Sequence, residues 1–122
     1  MTAAPRRFLL VEDEYLVAVL IEDMLAELGH ELAATAARFD DGLALAQTAR
    51  FDLALLDLQL GAQATYPIAD ALGRRGIPFA FVTGRAPSDV AAAYAGAPIL
   101  GKPFRLADLA AIIERLGGAG PA

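Results

Sequence analysis

Four short apolar runs, each stopped abruptly by polar residues or glycine, constrain this chain more than any other feature. They are Phe8-Leu9-Leu10-Val11 before Glu12-Asp13, Leu53-Ala54-Leu55-Leu56 before Asp57, Phe79-Ala80-Phe81-Val82 before Thr83, and Ile99-Leu100-Gly101 before Lys102. Runs this short, apolar without alternation, suit strands buried on both faces of a parallel sheet. Ligands of such sheets bind just beyond the carboxyl ends of the strands. Three acids, a hydroxyl and a lysine therefore stand where a site would form.

The intervening segments read as crossovers. Leu16, Val17, Leu20, Ile21, Met24, Leu25 and Leu28 recur at helical spacing, with Glu22, Asp23 and Glu27 opposite and Gly29 as a stop, which predicts an amphipathic helix burying that apolar set. A weaker strand over 31–37 follows, then a helix capped by Asp40 or Asp41, carrying Leu43, Leu45 and Ala46 and ending near Arg50. Residues 61–66 read as loop, Pro67 suits a first helical turn, and a helix over 68–75 ends at Gly76. A strand is expected over 77–82, a short Ala-rich helix from Pro87 to Tyr94, a strand over 98–100, a last helix over 105–116 and a flexible tail over 117–122. Five strands alternating with five helices predict an α/β fold, a flavodoxin-like (βα)5 three-layer sandwich with parallel sheet order 2-1-3-4-5 and right-handed crossovers. In that order the first and third strands adjoin at the topological switch point, so Glu12, Asp13 and Asp57 converge there. Thr83 and Lys102 arrive from the next two strands.

Composition narrows the functions. At 122 residues the expectation is a single domain, 1–122, with its core over about 6–116 and no room for an attached effector domain. No apolar stretch approaches the roughly 18 uninterrupted residues of a membrane span, and Arg6-Arg7 precedes too short an apolar run for a secretory signal. The absence of cysteine excludes disulfides and thiolate metal sites. A net charge of −5 has the wrong sign for gripping nucleic acid. The expected setting is cytoplasmic, with no membrane and no nucleic-acid partner. His30, the one histidine, is expected at the solvent edge, and Arg74-Arg75 on a solvated helix face.

Each residue has a plainer use when taken singly. Asp57 or Thr83 could belong to an ordinary turn, and Glu12 and Asp13 could favour the positive end of the first helix. The joint pattern argues otherwise. Two carboxylates about 4 Å apart repel by roughly 4 kcal/mol at an effective dielectric near 20. Such a cluster wants a hard cation, and a few carboxylates with retained waters suit Mg²⁺ better than a Ca²⁺ cage. Lys102 adds a fixed positive charge. A carboxylate beside both cations can attack phosphorus, because they neutralise the incoming phosphoryl oxygens. Asp57, on the middle strand, is the candidate nucleophile.

These residues carry a resemblance. From about Arg6 to Leu116 the chain resembles the receiver domain of two-component response regulators: Leu10-Val11-Glu12-Asp13-Glu14 looks like the family's acidic pair, Leu55-Leu56-Asp57-Leu58 its phosphoacceptor segment, Val82-Thr83-Gly84 its switch hydroxyl and Gly101-Lys102-Pro103-Phe104 its lysine motif. The resemblance implies that Asp57 accepts a phosphoryl group from a histidine kinase or phosphotransfer protein. It implies that Asp13 binds Mg²⁺ directly, Glu12 through water, and Gln59 through its backbone carbonyl. Thr83 and Lys102 would contact the phosphoryl oxygens, Lys102-Pro103 would be a cis peptide, and Tyr15 and the loop at Phe104 would touch the kinase. The chain departs from the pattern at Leu60-Gly61, where most members have Met-Pro, and at Ile99, where an aromatic switch residue usually stands. The segment Pro78-Phe79-Ala80-Phe81-Val82-Thr83-Gly84 is similar to an atypical group of single-domain receivers bearing Phe-Ala-Thr-Gly; Arg85 departs from that group, and Gln59 and Arg85 would flank the path of hydrolytic water.

The implied function is a stand-alone phosphoacceptor, not an independent enzyme, that signals by phosphorylation-dependent binding to an unknown downstream protein or acts as a phosphate sink, as a monomer or weak dimer. The alternative is a pseudo-receiver, an interaction module never phosphorylated. An aspartyl phosphatase would carry a second acid at Gln59, and a flavin site would need a Gly- or Ser/Thr-rich loop after the first strand.

Overall fold

The computed structural model describes residues 5–84, 90–94 and 96–118. Its elements are β1 (Arg7–Val11), α1 (Tyr15–Glu27), β2 (Glu31–Ala36), α2 (Phe39–Thr48), β3 (Leu53–Asp57), β4 (Gln59–Leu60), β5 (Gln63–Ala64), α3 (Tyr66–Arg74), β6 (Phe79–Thr83), β7 (Ile99–Gly101) and α4 (Leu106–Gly118). Strands β2-β1-β3-β6-β7 form one parallel sheet in that order, which is 2-1-3-4-5 once the small β4-β5 hairpin is set apart.

Alternation along the strands builds two cores. Leu9, Val11, Ala54, Leu56 and Phe81 pack with Ala46 of α2 and with Ile68, Ala69 and Leu72 of α3. Phe8, Leu10, Leu53, Leu55, Ala80 and Val82 pack with Ile21 and Leu25 of α1 and with Leu109, Ile113 and Leu116 of α4. Every residue of β3 is buried, as a central strand between two helical layers requires. On the first face α2 lies so close that a Cβ on Gly42 would stand 3.1 Å from Ile68 Cδ1 and 3.2 Å from Val11 Cγ1. Gly29 and Gly76, with φ of 87° and 70°, end α1 and α3 in the left-handed region glycine adopts without penalty.

Several expectations need correction. Within α1 only Ile21 and Leu25 are buried, while Leu16 is 79% and Leu20 45% exposed; an apolar stripe too wide for its neighbours leaves its outer edge in water. Arg38, not Asp40 or Asp41, occupies the N-cap of α2, and both acids sit in its first turn, where they still favour the positive helix end. The 61–66 segment is not all loop, since it supplies half of the hairpin. Arg74 and Arg75 are exposed as expected, and Arg75 in addition donates to the Ala46 and Ala49 carbonyls at the end of α2, both at 2.7 Å, with its guanidinium 5.4 Å from the Phe51 ring centre. His30 is half-buried, its Nδ1 accepting the Arg6 N–H at 2.9 Å and its ring edge-on to Phe8. The first three residues of the expected 87–94 helix lie outside the described residues, and Ala92–Tyr94 form a single 3-10 turn. The last helix runs to Gly118, and the remaining tail lies outside the described residues.

Candidate phosphoryl and metal site

Strand register assembles the site. Val11 pairs with Leu56, so the next step along each strand brings Glu12 level with Asp57. Asp57 pairs with Val82 and Thr83 with Gly101, which puts Thr83 and Lys102 one step further along β6 and β7. Lys102 N–H donates to the Thr83 carbonyl at 2.8 Å and Glu12 N–H to the Ala36 carbonyl at 2.9 Å, anchoring both beside the sheet end. The Lys102-Pro103 peptide is cis.

The three predicted acids come together: Glu12, Asp13 and Asp57 each offer a carboxylate oxygen within 4.8 Å of the others. Glu12 is buried, Asp57 is 9% exposed and Asp13 lies toward solvent. Lys102 Nζ stands 3.2 Å from Glu12 Oε1 and 3.7 Å from both Glu14 Oε1 and Asp57 Oδ2. Its nearest partner is Glu12, with Asp57 and Glu14 next, so the ammonium is shared among three carboxylates. Glu12 Oε2 accepts the Glu14 N–H at 3.1 Å. Asp57 Oδ1 accepts a long bond from Gln59 N–H at 3.4 Å, and Asp13 Oδ2 accepts Gly61 N–H at 3.2 Å. Thr83 is buried at the end of β6.

Electrostatics follow from burial and crowding. Burial pushes the Glu12 carboxyl up to about 7, with the Asp57 charge adding to the effect and the Glu14 N–H and Lys102 opposing it. Burial would lower the Lys102 ammonium, but Asp57, Glu12 and Glu14 outweigh it and hold its pKa above the ordinary lysine value. The residues present fit a hard divalent cation: three carboxylates bring oxygens within 4.8 Å of one another, and the donor set is all oxygen.

Three participants were not singled out from the sequence. Glu14 joins the lysine, Gly61 holds Asp13 from the hairpin, and Thr65, fully buried, donates its hydroxyl to the Asp57 carbonyl at 2.7 Å. A threonine just before Tyr66-Pro67 signals a helix cap, so the sequence pointed to a structural place and not to the acceptor. Arg85 lies outside the described residues. Ile99 is half-buried and pairs with Phe81, around which Tyr66 and Tyr94 gather: the two tyrosine rings stack at 5.0 Å, and Tyr66 Oη accepts Ala91 N–H at 2.8 Å.

Comparison with known proteins agrees with this geometry. The chain is 32% identical to the transcriptional regulatory protein PdtaR of Mycobacterium tuberculosis over 116 residues, covering 92% of this chain but 57% of that protein. It is similar to the solution structure of SdrG from Sphingomonas melonis Fr1, with 35% identity, TM-score 0.83 and coverage of 93% of this chain and 98% of that one. The receiver domain of the sensor histidine kinase PA1611 of Pseudomonas aeruginosa, whose crystal structure has a magnesium ion coordinated in the active site cleft, matches with 30% identity, TM-score 0.80 and coverage of 95% and 100%. With residues 8–114 matching the response regulator receiver domain, this chain belongs to that family.

Proposed function

We propose that the protein is a phosphoacceptor in which Asp57 takes a phosphoryl group from a histidine kinase or phosphotransfer protein. The observation that carries this reading is the convergence of Glu12, Asp13 and Asp57 with Lys102 within 4 Å of two of them. Asp13, Asp57 and the Gln59 carbonyl would hold Mg²⁺, with Glu12 behind a water. The ion would neutralise charge on the phosphoryl oxygens during transfer. The chain's own residues supply the rest: an Asp57 oxygen forms the new bond to phosphorus as the donor's P–N bond breaks, the Lys102 ammonium faces the added charge, and Thr83 donates its hydroxyl to a phosphoryl oxygen.

Phosphorylation adds about −1.5 to −2 charge to an already acidic crevice, which biases the loop after Thr83 and changes a protein-binding surface. The output is binding to a downstream protein or withdrawal of phosphoryl groups from a shared kinase, in the cytoplasm, with no independent enzymatic turnover. Among the described residues no helix is long and apolar enough to cross a membrane.

Incubation with radioactive acetyl phosphate and Mg²⁺ tests the reading, with Asp57→Asn as control. Label on the native protein that is absent from the variant is expected. Absence of label from both would leave an interaction module that does not turn over phosphate, and equal labelling of both would place the label away from Asp57 and overturn its role as acceptor.

A further inference from the structure

Thr65 occupies the N-cap of α3 but does not cap it. A threonine in that place normally turns its hydroxyl to the second or third N–H of its own helix, yet Thr65 makes no such side-chain bond. The Ile68 and Ala69 N–H groups go to its backbone carbonyl instead, at 3.0 and 3.1 Å. Its hydroxyl reaches back eight residues to the Asp57 carbonyl at 2.7 Å, with Leu58 O at 3.2 Å, and its own N–H donates to Leu58 O at 3.0 Å. The side chain is fully buried, so this bond forms out of competition with water, where it is strongest and costliest to lose.

Asp57 is the last residue of β3, and beyond it the chain leaves the sheet for the exposed tip of the β4-β5 hairpin. Its carboxylate accepts a long bond from Gln59 N–H at 3.4 Å and faces the Lys102 ammonium at 3.7 Å. The Leu58 N–H still donates to the Val82 carbonyl at 3.1 Å, so the sheet holds the N–H side of the Asp57–Leu58 peptide and Thr65 clamps its carbonyl side. We infer that Thr65 is a positioning residue for phosphoryl transfer: it fixes the Asp57 peptide, and through it the line along which the carboxylate approaches phosphorus. This rests on the phosphoacceptor reading above. Displacement of a reacting group by 1 Å is enough to slow a reaction about a hundredfold.

The test compares native protein with Thr65→Val, which keeps the branched buried shape and removes the hydroxyl, and Thr65→Ser, which keeps the hydroxyl. Asp57 labelling by acetyl phosphate is followed over a range of donor concentrations, alongside Mg²⁺ affinity and thermal unfolding. Thr65→Val is expected to lower the rate at saturating donor about tenfold or more while leaving the half-saturating concentration and Mg²⁺ affinity close to native, and Thr65→Ser should recover most of the rate. A native rate in Thr65→Val, or equal slowing in both variants tracking lost thermal stability, would overturn the inference while native Asp57 labelling stands. Absence of Asp57-dependent label in the native protein would remove the phosphoacceptor reading and this inference with it.

Discussion

Glu12 concentrates the electrostatics of the site in one residue. Its folded-state pKa of about 7 lies above the ordinary value of 4.5, so between those values the folded protein keeps a proton that the unfolded chain has released. The stability this gives is full below pH 4.5 and is lost as pH rises through 7. Metal-free protein should therefore unfold at lower denaturant as pH goes from 5 to 8. Glu12→Gln, which cannot ionise, should flatten that slope and gain on the order of 1–2 kcal/mol over native at pH 8. Urea titrations at the two values check it; parallel slopes would show that another group governs the dependence. Glu12 was legible in the sequence as an acid at a strand end. That it pairs with Lys102 was not, because the pairing depends on how far the lysine side chain reaches from the edge strand β7 past β6 and β3.

Among the elements, α1 departs furthest from its pattern. Tyr15, Leu16 and Leu20 stand 78%, 79% and 45% exposed along one edge of it, near the end of the sheet that carries the carboxylates. A single exposed leucine is ordinary, but three large side chains grouped on one helix edge favour a partner's apolar surface. Helical spacing in the sequence placed Leu16 and Leu20 in the core with Ile21 and Leu25, since periodicity reports which residues share a face and not how wide a face the neighbours cover. In the phosphoacceptor reading proposed above, this edge would receive the donor protein. Leu16→Asp should cut phosphoryl transfer from a donor kinase at least tenfold and leave labelling by acetyl phosphate unchanged; loss of both would place Leu16 in folding instead. Arg75 makes the converse point about elements. Its charge suggested solvent, where it does stand, and from there it also ties the end of α2 to the end of α3.

For the molecule as a whole, the acidic crevice and the net charge of −5 both favour the state that binds a cation. A ligand held only by the folded protein stabilises it by about 2.7 kcal/mol at one hundred times its Kd. Mg²⁺ should raise the melting temperature, a chelator should reverse the rise, and Asp13→Asn should lose most of it. An Asp13→Asn titration indistinguishable from native would remove Asp13 from the ligand set.

The parallel sheet, its strand order and the meeting of Glu12, Asp13 and Asp57 could all be read along the chain. Buried parallel strands must be apolar on both faces, and the short crossovers between them leave few orders to choose from. The hairpin after Asp57, the redirection of the Thr65 hydroxyl and the pairing of Lys102 with Glu12 could not be read that way. Each depends on which polar group lies nearest once the layers have packed, and such distances arise between residues remote in the chain, where local pattern carries no information.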